Sequence, residues 1–434
     1  MGYVRKHLSA DGLLEIVWHY LLNKKFSESE KSKFSWQDCI MSGLAIFGLK
    51  FPSLLQFENE KDEPFIARNL RKLYRIKNIP SDTCLRERLD KLSPNKLRPL
   101  FKIVFAHLQR GKVLDGYKYL NGHLLVSIDG TGQYESEKVC CKNCCIKKHQ
   151  DGSVTYYHHM LGAVVVHPEK KIVIPLAPEP IVRSDGNTKN DCERNAAKRL
   201  LVDLRREHPH LKAIIVEDGL GSNYPHLSLL DSLELPYIIG VKEGDHAFLF
   251  DWIKNAKAKE HTIIRDKIIH KFRLVSDVPL SDEHFDYRVN VLEYWEEKGN
   301  GKKQHFSWVT KMPIDEQNMF AIMRAGRARW RIENETFNTL KNQGYNFEHN
   351  YGHGNEYLCS VMTMLMLLAF LIDQIQELCC SLYKKVRQKF IKMKLFERMR
   401  VFFSCAAWAN WQDMYESILD PVTKPPPFGL LPQE

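Results

Sequence analysis

With 434 residues, 44% of them apolar and 27% charged, the chain is long enough for a large core and two or three domains, which excludes a disordered or fibrous protein. A net charge of +10 is mild at this length and suggests a basic surface or groove for an anionic partner. Eleven cysteines and no apolar signal core in "MGYVRKHLSADGLLEIVWHY" point to a reducing cytoplasm, and "YLCSVMTMLMLLAFLIDQIQ", cut by Asp373, reads as a buried helix rather than a membrane span.

Residues 1–120 read as an all-helical N-terminal region. In it, "IPSDTCLRERLDKLSPNKLRPLFKIVFAHLQR" is a basic helical pair, with Ser93-Pro94 as N-cap and first helical position. Such a pair is either a DNA contact or a packed hairpin with a solvated basic face. From 121 to 242 the texture is α/β. "LLVSIDGTG", "YYHHMLGAVVVHP" and "KKIVIPLAPEPIV" are strands, and the helix "NDCERNAAKRLLVDLRREHP" leads to the strand "KAIIVEDG". The helix "YPHLSLLDSLE" and the strand "PYIIGVK" follow, so a mixed sheet is expected. Residues 243–312 form a β-rich insertion, with a hairpin around "KGNGKK". Residues 313–380 are helical again, and 381–434 hold a basic helix and a Pro-rich tail. The stripe Leu382, Val386, Phe390 and Met393 would dock that helix, whose basic face either tracks DNA or is solvated.

The acids are placed unusually. Asp129 in "SIDGTG" and Asp218 in "VEDG" each end a predicted strand before glycine, where chemistry gathers in an open α/β sheet. In "RARWRIENETFNTLKNQG", Trp330, Phe337 and Leu340 share one helical stripe with Glu333 at its middle and Arg329 and Lys341 at its edges, all within an arc of roughly 120°. Three converging carboxylates repel unless a cation lies among them, and hard oxygen donors suit two Mg²⁺ or Mn²⁺ ions. The alternative is an Arg329–Glu333 pair with no metal. Asp191 and Glu193, at a helix start, read as capping acids.

"RARWRIENETFNTLK" resembles the signature helix of DDE transposases of the insertion sequence four family, whose pattern is Tyr, Arg, Glu, Lys. Arg329 and Glu333 match in identity and spacing; Gly326 stands at the Tyr position and Lys341 comes one residue late. "SIDGTG" and "VEDG" resemble the strands that carry the family's two aspartates. The resemblance covers roughly residues 120–375. It implies a ribonuclease-H-like α/β fold with a β-rich insertion, and metal-dependent cleavage and strand transfer on double-stranded DNA at terminal inverted repeats. Asp129, Asp218 and Glu333 would hold the Mg²⁺ ions, and Arg329 and Lys341 would hold DNA phosphates. The insertion would offer Trp295 or Trp308 to a flipped base. The synapse would be a dimer in a bacterial cytoplasm, with no membrane partner. The alternative is a domesticated copy that binds DNA without cutting.

"CCKNCCIKKHQDGSVTYYHH" carries a separate expectation. Cys141 and Cys144 form a C-x₂-C that His149 and His158 would complete as a structural Zn²⁺ site, with Cys140 and Cys145 as another register. The alternative is a surface loop of reduced thiols.

Overall fold

The computed structural model describes residues 8–24, 26, 33–183, 193–299 and 301–427. Ser9, Ser35, Ser53 and Ser81 each accept a hydrogen bond from the backbone N–H three residues on, which satisfies a donor that a helix start otherwise leaves unpaired. They open α1 (Ala10–Asn23), α2 (Trp36–Gly48), α3 (Leu54–Glu60) and α5 (Asp82–Asp90), while α4 (Pro64–Leu73) starts on proline. Ser93 makes no capping bond: Pro94–Lys96 is a 3₁₀ turn and α6 (Arg98–Arg110) begins after it. Pro99 brings no N–H, which suits the first turn of a new helix and not the continuation of an old one.

The strands follow. β1 (Leu124–Ser136), β2 (Cys145–Lys148), β3 (Val154–His167), β4 (Lys170–Pro175) and β5 (Glu179–Ile181) pair antiparallel, with β3 between β1 and the others. Then come α7 (Glu193–Glu207), β6 (Ala213–Glu217), α8 (Tyr224–Ser232) and β7 (Tyr237–Gly240), where β6 lies parallel to both β1 and β7. The insertion contributes α9 (Ala247–Asn255), β8 (Lys259–Arg265), β9 (Ile268–Pro279), β10 (Arg288–Lys298) and β11 (Lys303–Thr310). The hairpin expected around "KGNGKK" is β10–β11. β11 pairs antiparallel with β7 through Trp308↔Gly240 and Val309↔Ile239, so the insertion extends the same sheet. Among the described residues the order is β2-β3-β1-β6-β7-β11-β10-β9-β8, with β4 and β5 beside β3. The chain is thus a mixed α/β protein with a helical N-terminal region.

After the sheet come α10 (Met319–Ala328), a π-helical segment (Ile332–Phe337), α11 (Asn338–Asn342) and α12 (Leu358–Cys379). The most apolar part of α12 is long and apolar enough to cross a membrane, yet lies wholly buried within the chain, packed on α2, α5 and β4. Its Asp373 is buried and bonds Lys50 and the Tyr345 hydroxyl. The basic C-terminal stretch is two helices, α13 (Ser381–Lys389) and α14 (Lys392–Cys405), because Phe390 is extended; α15 (Trp411–Leu419) follows. The expected stripe breaks there. Val386 is buried but Met393 is exposed, and Leu395, Phe396 and Met399 fill the core instead.

Candidate functional site

Asp129 does not end a strand. β1 runs on through Gly130 and Gly132 because it keeps pairing with β3, whereas its other neighbour, β6, stops at Glu217. The parallel register sets Ser127 opposite Val216, and two residues further along it reaches Asp129 on β1 and Asp218 just past the end of β6. Asp218 ends its strand as expected, and its carboxylate accepts from the Leu220 N–H at 2.9 Å. A third acid joins them from α7. Glu193 packs so closely over Gly130 that a Cβ at that glycine would overlap its carboxyl. Burial, then the charge of Asp218, raises the pKa of Glu193. A small cleft is lined by Asp129, Glu193, Glu217, Asp218 and His226. In it His226 Nε2 lies 2.7 Å from Glu217, while Glu217 Oε1 is buried with no partner among the described residues.

The fourth acid arrives from the signature helix. Asn338 N–H bonds to the Glu333 carbonyl five residues back, which is π and not α geometry, so the 100° wheel drawn from the sequence fails there. Ile332, Thr336, Phe337 and Leu340 are buried, and Trp330, expected on that stripe, is 47% exposed. Glu333 is positioned against Asp129 all the same. Arg329 Nη1 donates to Asp129 Oδ2 at 3.0 Å and to Glu333 Oε1 at 2.9 Å, and the Arg329 carbonyl accepts from Ser127 Oγ at 3.1 Å. Burial pushes the Asp129 carboxyl up to about 7; Arg329 opposes the rise and the adjoining Glu333 carboxyl adds to it.

Arg329 is therefore not free for a phosphate. It is buried between two carboxylates, with its guanidinium over the Trp330 ring at 4.3 Å. The ion pair expected as the metal-free alternative forms, and Asp129 shares it. Among the described residues, Asp129, Asp218 and Glu333 do not bring three ligand atoms within 4.8 Å of one another. Lys341 lies on α11 and pairs with Glu348 at 2.8 Å.

Gly326, at the signature's Tyr position, faces Trp308: a Cβ on Gly326 would overlap the indole. Trp308 is buried by this packing, and Trp295 lies flat on His305, with centroids 4.6 Å apart. Trp330 is the exposed indole of this region. It lines a groove of about 680 Å³ together with Arg265, Arg324, Arg327, Arg331 and Phe320, between the insertion and the signature helix.

The cysteine motif gathers a different set from the one expected. Cys141 and Cys144 lie in the β1–β2 loop and meet His158 of β3, but His149 turns away and bonds Thr155 Oγ1 at 2.7 Å. The fourth member is His353, whose Nε2 is 3.2 Å from Cys144 Sγ. Cys140 is exposed, and Cys145 Sγ lies 3.8 Å from the Ile181 carbonyl, so neither belongs to the cluster. Asp191 lies outside the described residues.

Two residues thus escape the sequence reading. Glu193 resembled an ordinary helix-start acid, and His353 is far from the C-x₂-C in sequence, in the loop that follows α11. Comparison with protein-family models and with curated proteins returns no match for this chain.

Proposed function

We propose that the chain is a DDE transposase that cleaves and rejoins DNA at the ends of an insertion sequence. The observation that carries this reading is that Asp129, Glu193 and Asp218, from three separate elements, line one cleft where β1 leaves β6, with Arg329 joining Glu333 to Asp129. A mixed sheet whose acids cluster where its parallel strands end supports the ribonuclease-H-like assignment.

The donor set fits a hard divalent cation: the converging acids offer only oxygen, and Glu217 adds a buried carboxylate oxygen with no partner. Asp129, Asp218 and Glu333, with Glu193, are the residues that would hold Mg²⁺ or Mn²⁺, and such ions, once bound, stabilise the attacking and leaving oxygens of a phosphodiester. The protein's own groups set the stage. Burial raises the Asp129 carboxyl to about 7 against the pull of Arg329, with Glu333 adding to the rise, so a cation held there would relieve the crowding of the two carboxylates. Arg329 holds Glu333 against Asp129, and the Ser127 hydroxyl fixes the Arg329 backbone. The neighbouring groove is lined by Trp330 and four arginines, of which Arg324, Arg327 and Arg331 are paired with Glu169, Glu296 and Glu335, so a phosphate backbone there would have to compete with those carboxylates.

The test is a Mg²⁺-dependent nicking assay, with a gel shift, on the DNA that flanks the coding sequence on either side. Glu333→Gln keeps the shape and removes the charge, so nicking should vanish while binding persists. Nicking by Glu333→Gln at the wild-type rate would show the acid to be structural. Binding without nicking by the wild type would instead identify a domesticated DNA-binding protein.

A further inference from the structure

The Cys-His cluster has the dimensions of a metal site. Cys141 Sγ and Cys144 Sγ are 3.8 Å apart, and His158 Nε2 lies 3.3 Å from the first and 3.4 Å from the second. His353 Nε2 lies 3.2 Å from Cys144 Sγ. A tetrahedral zinc site with ordinary bond lengths has S···S edges of about 3.8 Å and S···N edges of about 3.6 Å. His158 Nε2 is nearly equidistant from both sulfurs, and a single N–H cannot point along both directions. Equidistance is what ligands of one common centre show. Among the described residues, no other set of three or more Cys, His, Asp or Glu ligand atoms is this compact.

We infer that Cys141, Cys144, His158 and His353 form a structural site for Zn²⁺, which ties the β1–β2 loop and β3 to the segment that follows the Glu333 helix. Two thiolates neutralise the dication, so a closed set of four ligands buries no net charge. The elements it joins already interlock. Asn143 Nδ2 donates to the Glu356 carbonyl at 2.6 Å, Lys142 pairs with Glu356 at 2.9 Å, and the Lys142 N–H reaches the Asn355 carbonyl at 3.4 Å. The metal therefore fixes the segment between α11 and α12 against β3. That strand pairs with β1, where Gly162 stands opposite Asp129 and His158 opposite Tyr134. A site of this kind orients the acid-bearing helix without joining the chemistry. The inference does not depend on the transposase reading.

The experiment is elemental analysis of the purified full chain, followed by replacement with Co²⁺ and absorption spectroscopy. One equivalent of zinc is expected, and Co²⁺ should show the visible bands of tetrahedral coordination with thiolate charge transfer in the near ultraviolet. His149→Ala should retain the metal. His353→Ala should weaken binding on the order of 100-fold or more. If His353→Ala fails to fold, His353→Cys decides, because a third thiolate should keep the metal and strengthen the charge-transfer band. Wild-type protein with neither zinc nor a Co²⁺ spectrum overturns the inference. So does metal loss in His149→Ala with retention in His353→Ala, or a His353→Cys spectrum identical to wild type. Each readout is the metal itself, so failure here leaves the cleavage reading standing, and the reverse also holds.

Discussion

Gly326 shows how a departure from a familiar signature can be a packing requirement. Its hydrogen atom faces the indole of Trp308, and any side chain would have to displace that ring. Gly326→Ala should therefore destabilise the protein by about 1–3 kcal/mol, and Gly326→Tyr, which restores the signature, by more. Urea unfolding of Gly326→Ala, Trp308→Ala and the double variant checks this. The two changes should couple, with Trp308→Ala relieving the clash, whereas simple additivity would mean that the residues do not touch. Glu193 belongs to the same scale. An acid in a first helical turn satisfies the helix dipole, so nothing in "NDCERNAAKR" separates a capping acid from one aimed at Gly130. If Glu193 supports the cation site, Glu193→Gln should lower Mg²⁺-dependent nicking about 10- to 100-fold and leave DNA binding unchanged. Equal nicking rates would return it to a capping role. Asp129, Asp218 and Glu333 could be singled out from local sequence, the first two before glycine and the third on an otherwise apolar helical stripe. Glu193 and His353 could not, because only the fold brings them to Gly130 and Cys144.

Among the elements, periodicity located the helices and strands but not their internal register. The hairpin β10–β11, the strand that carries Asp129, the strand that leads to Asp218, and the buried α12 all follow from patterns of apolar residues. The π segment at Ile332–Phe337 does not: hydrogen bonding to the fifth residue breaks the 100° wheel between Trp330, which is exposed, and Phe337 and Leu340, which are buried. The start of α12 is similarly hidden. Its N-cap, Tyr357, makes no side-chain capping bond; instead Asp90, at the end of α5, accepts from the N–H groups of Asn355, Glu356, Tyr357 and Leu358 at 2.9–3.0 Å. Gly354, with φ +68°, leaves the room that this carboxylate needs. A buried carboxylate that receives four donors and faces a helix N-terminus is strongly favoured. Asp90→Ala should cost about 3 kcal/mol or more, and Asp90→Asn less, because the amide keeps one acceptor. Denaturant midpoints decide: an alanine variant as stable as wild type would show that solvent satisfies those donors equally well.

Across the whole molecule, the helical N-terminal region is locked to the sheet by a residue of the basic helical pair that the sequence left as either a DNA contact or a packed hairpin. Arg98 of α6 is buried and bonds Glu179 at 3.3 Å, Asp203 at 3.1 Å and Glu207 at 2.8 Å, the last two on α7. Beside this cluster, His208 packs against Phe105 of α6, with ring centroids 4.8 Å apart. Burial lowers the His208 pKa to about 4, and Lys102 and Arg98 push in the same direction. Because the folded value lies below the ordinary value of about 6.5, the unfolded chain binds the extra proton first. Stability is then complete above pH about 6.5 and falls as pH drops toward 4, by about 2 kcal/mol between pH 8 and pH 5. Glu179 and its neighbouring carboxylates also face this interface, and protonating them weakens the hold of Arg98, so acid lability alone does not isolate the histidine. His208→Leu does. The variant should lose about 2 kcal/mol less than wild type between pH 8 and pH 5, read from urea unfolding at each pH. Parallel curves would mean that His208 accepts its proton without cost, and that the Arg98 carboxylates alone make the junction between helices and sheet sensitive to acid.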